Sequence, residues 1–143
     1  MTAPHFVHLR LHSEFSIVDG TVRLDDGIAA AVADAMPALA VTDLANAFGL
    51  VKFYRAARAR GVKPIIGCDV WLTHEAERDQ PFRALLLAQS RAGYLRLSAW
   101  LTRAYRGNQH RGRAELKRDW FAEGTDGLIA LSGARDGEVG AAL

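Results

Sequence analysis

The segment FVHLRLHSEFSIVDG sets His8, Arg10 and His12 at every second position between apolar residues. Alternate residues of a strand share a face, so three nitrogen-bearing side chains would point to one side. An H-x-H pair at a strand end aims two imidazoles at a common point, and added carboxylates complete a multinuclear hydrolytic site. This segment does not supply that pair cleanly. Arg10 stands between the histidines on the same face, and a guanidinium has no lone pair to give a metal and repels one. The segment is therefore a metal site, the remains of one, or a strand with a polar side.

The elements that must position these residues alternate along the chain. FVHLRL has period-two patterning, with Phe6, His8, Arg10 and His12 on one side and Val7, Leu9 and Leu11 on the other. After the DG turn at Asp19 and Gly20, residues 24–35 are alanine-rich, carry Asp25 and Asp26 in the first turn and stop before Pro37, which predicts a helix. ALAVTD is a short strand. AFGLVKFYRAARARG is a helix with Leu50, Phe53, Tyr54 and Ala57 as its apolar stripe and Gly61 at its end. KPIIGCDVWLT and FRALLLAQ are strands separated by the polar loop HEAERDQP. GYLRLSAWLTRAYRG is a helix with Leu97, Leu101 and Tyr105 spaced by four. A shorter helix is expected near AELKRDWFAEG, before a last strand, GLIALSG, and the start of another helix.

Strands alternating with helices imply a parallel sheet with crossover helices, a single α/β unit without internal repeats or linkers. In such sheets ligands collect at the carboxyl ends of strands. The residues placed there are His12, Ser13 and Asp19; Thr42, Asp43 and Leu44; Cys68 and Asp69; Arg83; and Ser132, Gly133 and Ala134.

Composition narrows the function classes. The chain has 143 residues, half of them apolar and a quarter charged, as in a soluble globular domain. It has neither a run of about 18 apolar residues nor a basic start followed by an unbroken apolar core, so the cytoplasm is expected and a membrane partner is not. Cys68 is the only cysteine, which excludes an intrachain disulfide and a cysteine-based zinc site. In an apolar strand without a neighbouring base it reads as a buried thiol. The net charge of +2 does not by itself argue for nucleic acid, but fifteen of the eighteen basic residues are arginine. They cluster at Lys52, Arg55, Arg58 and Arg60, and again at Arg103, Arg106, Arg111, Arg113, Lys117 and Arg118. The second cluster, with Arg103, Arg106, Arg111 and Arg113 foremost, could meet phosphates or a partner surface; a solvated helix face is the plain alternative.

FVHLRLHSEFSIVDG, PALAVTDLANAFGLVKFY, GVKPIIGCDVWL and GLIALSG together resemble the start of bacterial replicative DNA polymerase III alpha subunits, whose amino-terminal region is a polymerase and histidinol phosphatase (PHP) domain. The resemblance runs in order over nearly the whole chain. It implies an α/β fold: the amino-terminal part of a distorted, TIM-like barrel of seven strands. Residues 1–143 would be the amino-terminal half of that domain, cut at its carboxyl end, with no second domain.

In metal-binding members of that family, histidines and carboxylates at the strand ends hydrolyse phosphoesters. Carried over residue by residue, the first histidine of the H-x-H motif falls on Arg10, while His12 and the turn acid Asp19 are kept. The TDH motif becomes Thr42, Asp43 and Leu44. The glutamate after GC is the shorter Asp69, the histidine opening the next strand is Arg83, and the cysteine after SG is Ala134. At even the tenfold that outer-shell changes cost, four lost ligands would weaken metal binding about ten-thousandfold. The resemblance thus implies no metal and no catalytic residue in this segment, with Arg10 and Arg83 paired to Asp19, Asp43 or Asp69 in place of the metal charge.

The function implied is a metal-free scaffold that steadies a DNA-directed DNA polymerase, a nucleotidyltransferase using Mg2+, and docks its proofreading exonuclease (epsilon) subunit. The remaining partners implied are the rest of the alpha subunit and, through it, the sliding clamp and DNA. Two alternatives stand beside it: a residual metal-dependent phosphoesterase built on His12, Asp19, Asp43 and Asp69, and a DNA-binding module built on the second arginine cluster.

Overall fold

Two buried apolar clusters fix where the elements lie. In the computed structural model, which describes residues 6–143, helix α1 (Leu24–Ala33) and helix α2 (Leu50–Ala59) flank strand β1 (Ala38–Val41). Leu24 and Ile28 of α1, Leu39 and Val41 of β1, and Phe53 and Ala57 of α2 form the first cluster. The stripe read from α2 therefore faces inward at Phe53 and Ala57, whereas Tyr54 remains exposed.

The second cluster joins a sheet to one long helix. Strand β2 (Lys63–Leu72) and strand β3 (Phe82–Ala88) present Cys68, Val70 and Leu86 to Leu97, Trp100 and Leu101 of α3 (Arg91–Gly107). Helix α3 begins at Ser90, whose hydroxyl accepts from the Gly93 amide at 3.2 Å, an N-cap that satisfies one otherwise orphaned donor. The sheet is completed by β4 (Gln109–His110), β5 (Arg113–Leu116) and β6 (Leu128–Ser132), followed by a short helix α4 (Glu138–Ala141).

The sheet is mixed, unlike the all-parallel arrangement that the alternation implies. β1 and β5 run parallel to β2, but β2 and β3 are antiparallel, as are β3 and β6. The reason is the connection: residues 73–81 are too few for a crossover, which needs a dozen or more, so the chain simply reverses.

FVHLRL is extended but forms no regular strand. It lies beside β1, with Ala40 N donating to His8 O at 3.0 Å and Thr42 N to Leu11 O at 2.8 Å. One chain advances three residues while its neighbour advances two, a bulge-like mismatch that interrupts the ladder. The expected helix over AELKRDWFAEG divides instead into β5 and a 3-10 turn, Arg118–Glu123. Its first residues are drawn into the sheet, where Glu115 pairs with Trp71 of β2.

Candidate functional site

Asp69 organises the site. It lies in the middle of β2, with Leu85 of β3 as its strand partner and Leu44 bridged to it. Period-two alternation turns Cys68 and Val70 toward α3 and leaves Asp69 and Trp71 on the opposite face. The Asp69 carboxylate is 2% exposed, a burial that is costly unless cations and donors surround it. Arg83 enters from β3, with Nε 3.1 Å from Oδ1 and a terminal nitrogen 2.8 Å from Oδ2. Its guanidinium lies 4.2 Å from the centre of the Trp71 ring, a cation–π contact that orients the fork. Arg10 comes from the bulged amino-terminal segment, with Nε at 2.8 Å and Nη2 at 2.5 Å from Oδ2. His12 Nε2 lies 3.0 Å from the same oxygen.

His12 also fixes a second acid. Its Nδ1 is 2.9 Å from Asp19 Oδ2, while Ser16 Oγ donates to Asp19 Oδ1 at 2.6 Å. The imidazole thus bridges two carboxylates through opposite ring nitrogens and holds them on opposite sides of the ring. Asp43 is separate: it is 2% exposed and accepts from the amide and the hydroxyl of Ser13, the latter at 2.9 Å. Ser16 Oγ accepts from the Leu44 amide at 3.0 Å, so the turn after the first segment is stitched to the residues after β1.

Titration follows from these contacts. Burial alone would raise the Asp69 pKa, but hydrogen bonds from His12, Arg83 and Arg10 and the Arg83 charge outweigh it and hold the carboxyl at about 2. The same bond to Asp69 raises His12, with burial opposing and Asp19 assisting. Burial opposes ionisation of Asp19 as well, yet Ser16 and His12 keep its pKa below the usual range. Asp43 has no cation against it, and burial pushes its pKa up despite the Ser13 bonds. Cys68 is fully buried, and burial drives its thiol far above the usual range.

A metal does not fit this arrangement. Asp69 Oδ2 is shared by two guanidiniums and an imidazole, both nitrogens of His12 already face carboxylates, and Leu44 is a buried hydrocarbon. Ala134 opens the 3-10 turn after β6 and offers only a methyl group. Among the described residues no group of three or more histidine, cysteine or acidic side chains is placed to hold a metal ion. The arrangement can order the mouth of the sheet electrostatically.

Of the second arginine cluster, four members are engaged inside the molecule, among them Arg118, which pairs with Glu138. Arg103 pairs with Glu123 at 2.6 Å and lies 4.3 Å from the Trp120 ring, and Arg111 pairs with Asp79 at 2.9 Å. Arg113 turns inward to Glu115 at 3.4 Å and to the Arg78 carbonyl at 2.8 Å. Arg106 is exposed.

A third buried carboxylate carries no motif in the sequence. Glu115 is fully buried, paired with Arg78 at 3.1 Å and Arg113 at 3.4 Å, and accepts from Thr73 Oγ1 at 3.2 Å. Asn108 ties the network by donating to Thr73 Oγ1 and to the Glu115 carbonyl. The one local signal was Glu115 between the apolar residues Ala114 and Leu116, but without the strand pairing it could not be told from a solvated helix position.

With this geometry and fold, the chain belongs to the PHP domain family, which it matches over residues 8–143. It aligns with the amino-terminal region of DNA polymerase III subunit alpha from several bacteria. It is 52% identical over 147 residues to that subunit of Neisseria meningitidis serogroup A, covering the whole chain and 13% of that protein. It is 47% identical over 138 residues to that of Pseudomonas aeruginosa, covering 96% of this chain and 12% of that protein. The chain thus spans only about an eighth of the length of the curated relatives it matches. Among solved structures it is similar to an amidohydrolase from Chromobacterium violaceum, with bound sulfate and no metal. The TM-score is 0.54 at 27% identity, over 71% of this chain and 34% of that one. No helix among the described residues is long and apolar enough to cross a membrane.

Proposed function

We propose that the chain is the amino-terminal half of the PHP domain of a DNA polymerase III alpha subunit, and that it is a metal-free scaffold. Arg10, Leu44, Arg83 and Ala134 stand where metal ligands would be, and the mouth is held by ion pairs. The observation that carries this reading is the double capture of Asp69 by Arg10 and Arg83. Two guanidiniums supply at that carboxylate the positive charge that a divalent cation would otherwise provide. The scaffold steadies the polymerase and docks the proofreading exonuclease subunit. Nucleotidyl transfer with Mg2+, and contact with DNA and the sliding clamp in the cytoplasm, belong to the parent protein.

The phosphoesterase alternative requires His12, Asp19, Asp43 and Asp69 to converge, and the ring of His12 keeps Asp19 and Asp69 apart. The arginine-cluster alternative requires free cations, and Arg103, Arg111 and Arg113 are paired. Hydrolysis of a chromogenic phosphoester in the presence of Mn2+ tests the reading. No turnover above background is expected; turnover abolished by His12→Ala would restore the phosphoesterase.

A further inference from the structure

Exposed aromatic side chains line a grooved face of α3 opposite residues 46–54, the start of α2 and the loop before it, and none of them belongs to the mouth described above. On α3, Tyr94 and Tyr105 are 37% and 42% exposed. With Arg91, Ser98 and Leu101 they recur at spacings of three and four, on one helix face. Across from them stand Phe48, 63% exposed, and Tyr54 of α2, 46% exposed. Two clefts lie between these walls. One, of about 370 Å³, runs between Phe48 and Leu101, Tyr105 and Arg106. The other, of about 480 Å³, lies between Tyr54 and Tyr94 with Arg91 at its edge.

The electrostatics of this groove have one sign. Neither α2 nor α3 contains an acidic residue, and none occurs in residues 44–68 or 80–114. Lys52 and Arg103 are answered by Glu14 and Glu123 from other parts of the chain. Arg91 and Arg106 lie at opposite ends of the groove, are exposed, and make no ion pair among the described residues. Fifteen helical residues separate them, roughly 22 Å.

We propose that this groove docks an acidic amphipathic helical segment of another protein. Such a segment would lay an apolar stripe between Tyr54, Tyr94 and Tyr105 and set carboxylates against Arg91 and Arg106. A helix of about four turns matches the separation of the two arginines. Two other occupants fit less well. A nucleic-acid strand places a charge about every 3.4 Å along a duplex and would bring more phosphates to the groove than its few cations, Arg91, Arg106 and the Arg58 guanidinium 6.0 Å from the Tyr54 ring, could meet. A second copy of this chain would set one acid-free surface against another, arginine facing arginine.

The test is fluorescence anisotropy on the purified protein, with a labelled synthetic helix of a leucine stripe flanked by glutamates. Its twin carries lysines in place of the glutamates. The glutamate helix should bind and weaken as salt rises, and the lysine twin should not bind. Arg91→Glu with Arg106→Glu should raise Kd roughly tenfold or more, and so should Tyr94→Ser with Tyr105→Ser. All four positions are exposed, so the melting curves of these variants should match the parent and separate lost binding from lost folding. Equal binding of both helices, or binding unchanged in the variants, would overturn the proposal. So would displacement by a single-stranded oligonucleotide whose own binding needs Arg91 and Arg106, or a concentration-dependent dimer lost in the tyrosine variants.

Discussion

Asp69 and its three partners differ in how deeply they lie, and that difference sets what each contributes. Arg83 is 14% exposed and Arg10 is 60% exposed. Removing one partner of a buried pair leaves an uncompensated charge, whereas an exposed pair is screened by water. Arg83→Ala should therefore cost about 2–3 kcal/mol in denaturant unfolding, less than the full cost of a broken buried pair because Arg10 and His12 still reach the carboxylate. Arg10→Ala should cost about 1 kcal/mol or less; equal costs would contradict the ranking. The pH dependence follows from the same contacts with opposite signs. His12 is raised in the fold, so its contribution is complete below its ordinary value of 6.5 and is lost as pH rises through the folded value. Asp69 is lowered, so its contribution of about 2 kcal/mol is complete above its ordinary 3.8 and is lost as pH falls through about 2. Asp69→Asn should flatten the acid limb of a stability–pH curve; an unchanged limb would assign it to other carboxylates.

At the scale of elements, Gly93 shows how closely α3 is seated. A Cβ at that position would lie 1.8 Å from the Gly127 carbonyl oxygen. Gly93→Ala should thus destabilise the fold by about 1–3 kcal/mol, although alanine favours helix; a rise in Tm would contradict this seating. The helices, and the strands β1, β2, β3 and β6, were legible because each carries its own periodicity and stop signals. The first segment was legible in chemistry but not in shape: its alternation marked Arg10 and His12, while the bulge against β1 depends on pairing that no local pattern encodes. Strand direction is not encoded by the alternation of elements: the short loop over residues 73–81, too short for a crossover, makes β2 and β3 antiparallel. The arginines flanking Glu115 belong to the same lesson. Arg113 read as a surface cation because the partner that turns it inward, Arg78, lies 35 residues away.

For the whole molecule, the mouth is a place where charge is internally balanced, and under the proposed scaffold reading its chemistry is a question of replacement. The carboxylate in the middle of β2 has the burial of a ligand and the partners of a salt bridge. Those partners come from the amino-terminal segment and from β3, so the ion pairs tie two parts of the chain to β2, and His12 extends the link to Asp19. If they stand in for a cation, a cation should add nothing. The most direct measurement is the melting curve of the purified protein with and without zinc or manganese, paired with elemental analysis of the protein as isolated. The account predicts no stoichiometric metal and no change in Tm. Stoichiometric metal together with a raised Tm would show that His12 and the remaining carboxylates still form a metal centre, and would contradict it.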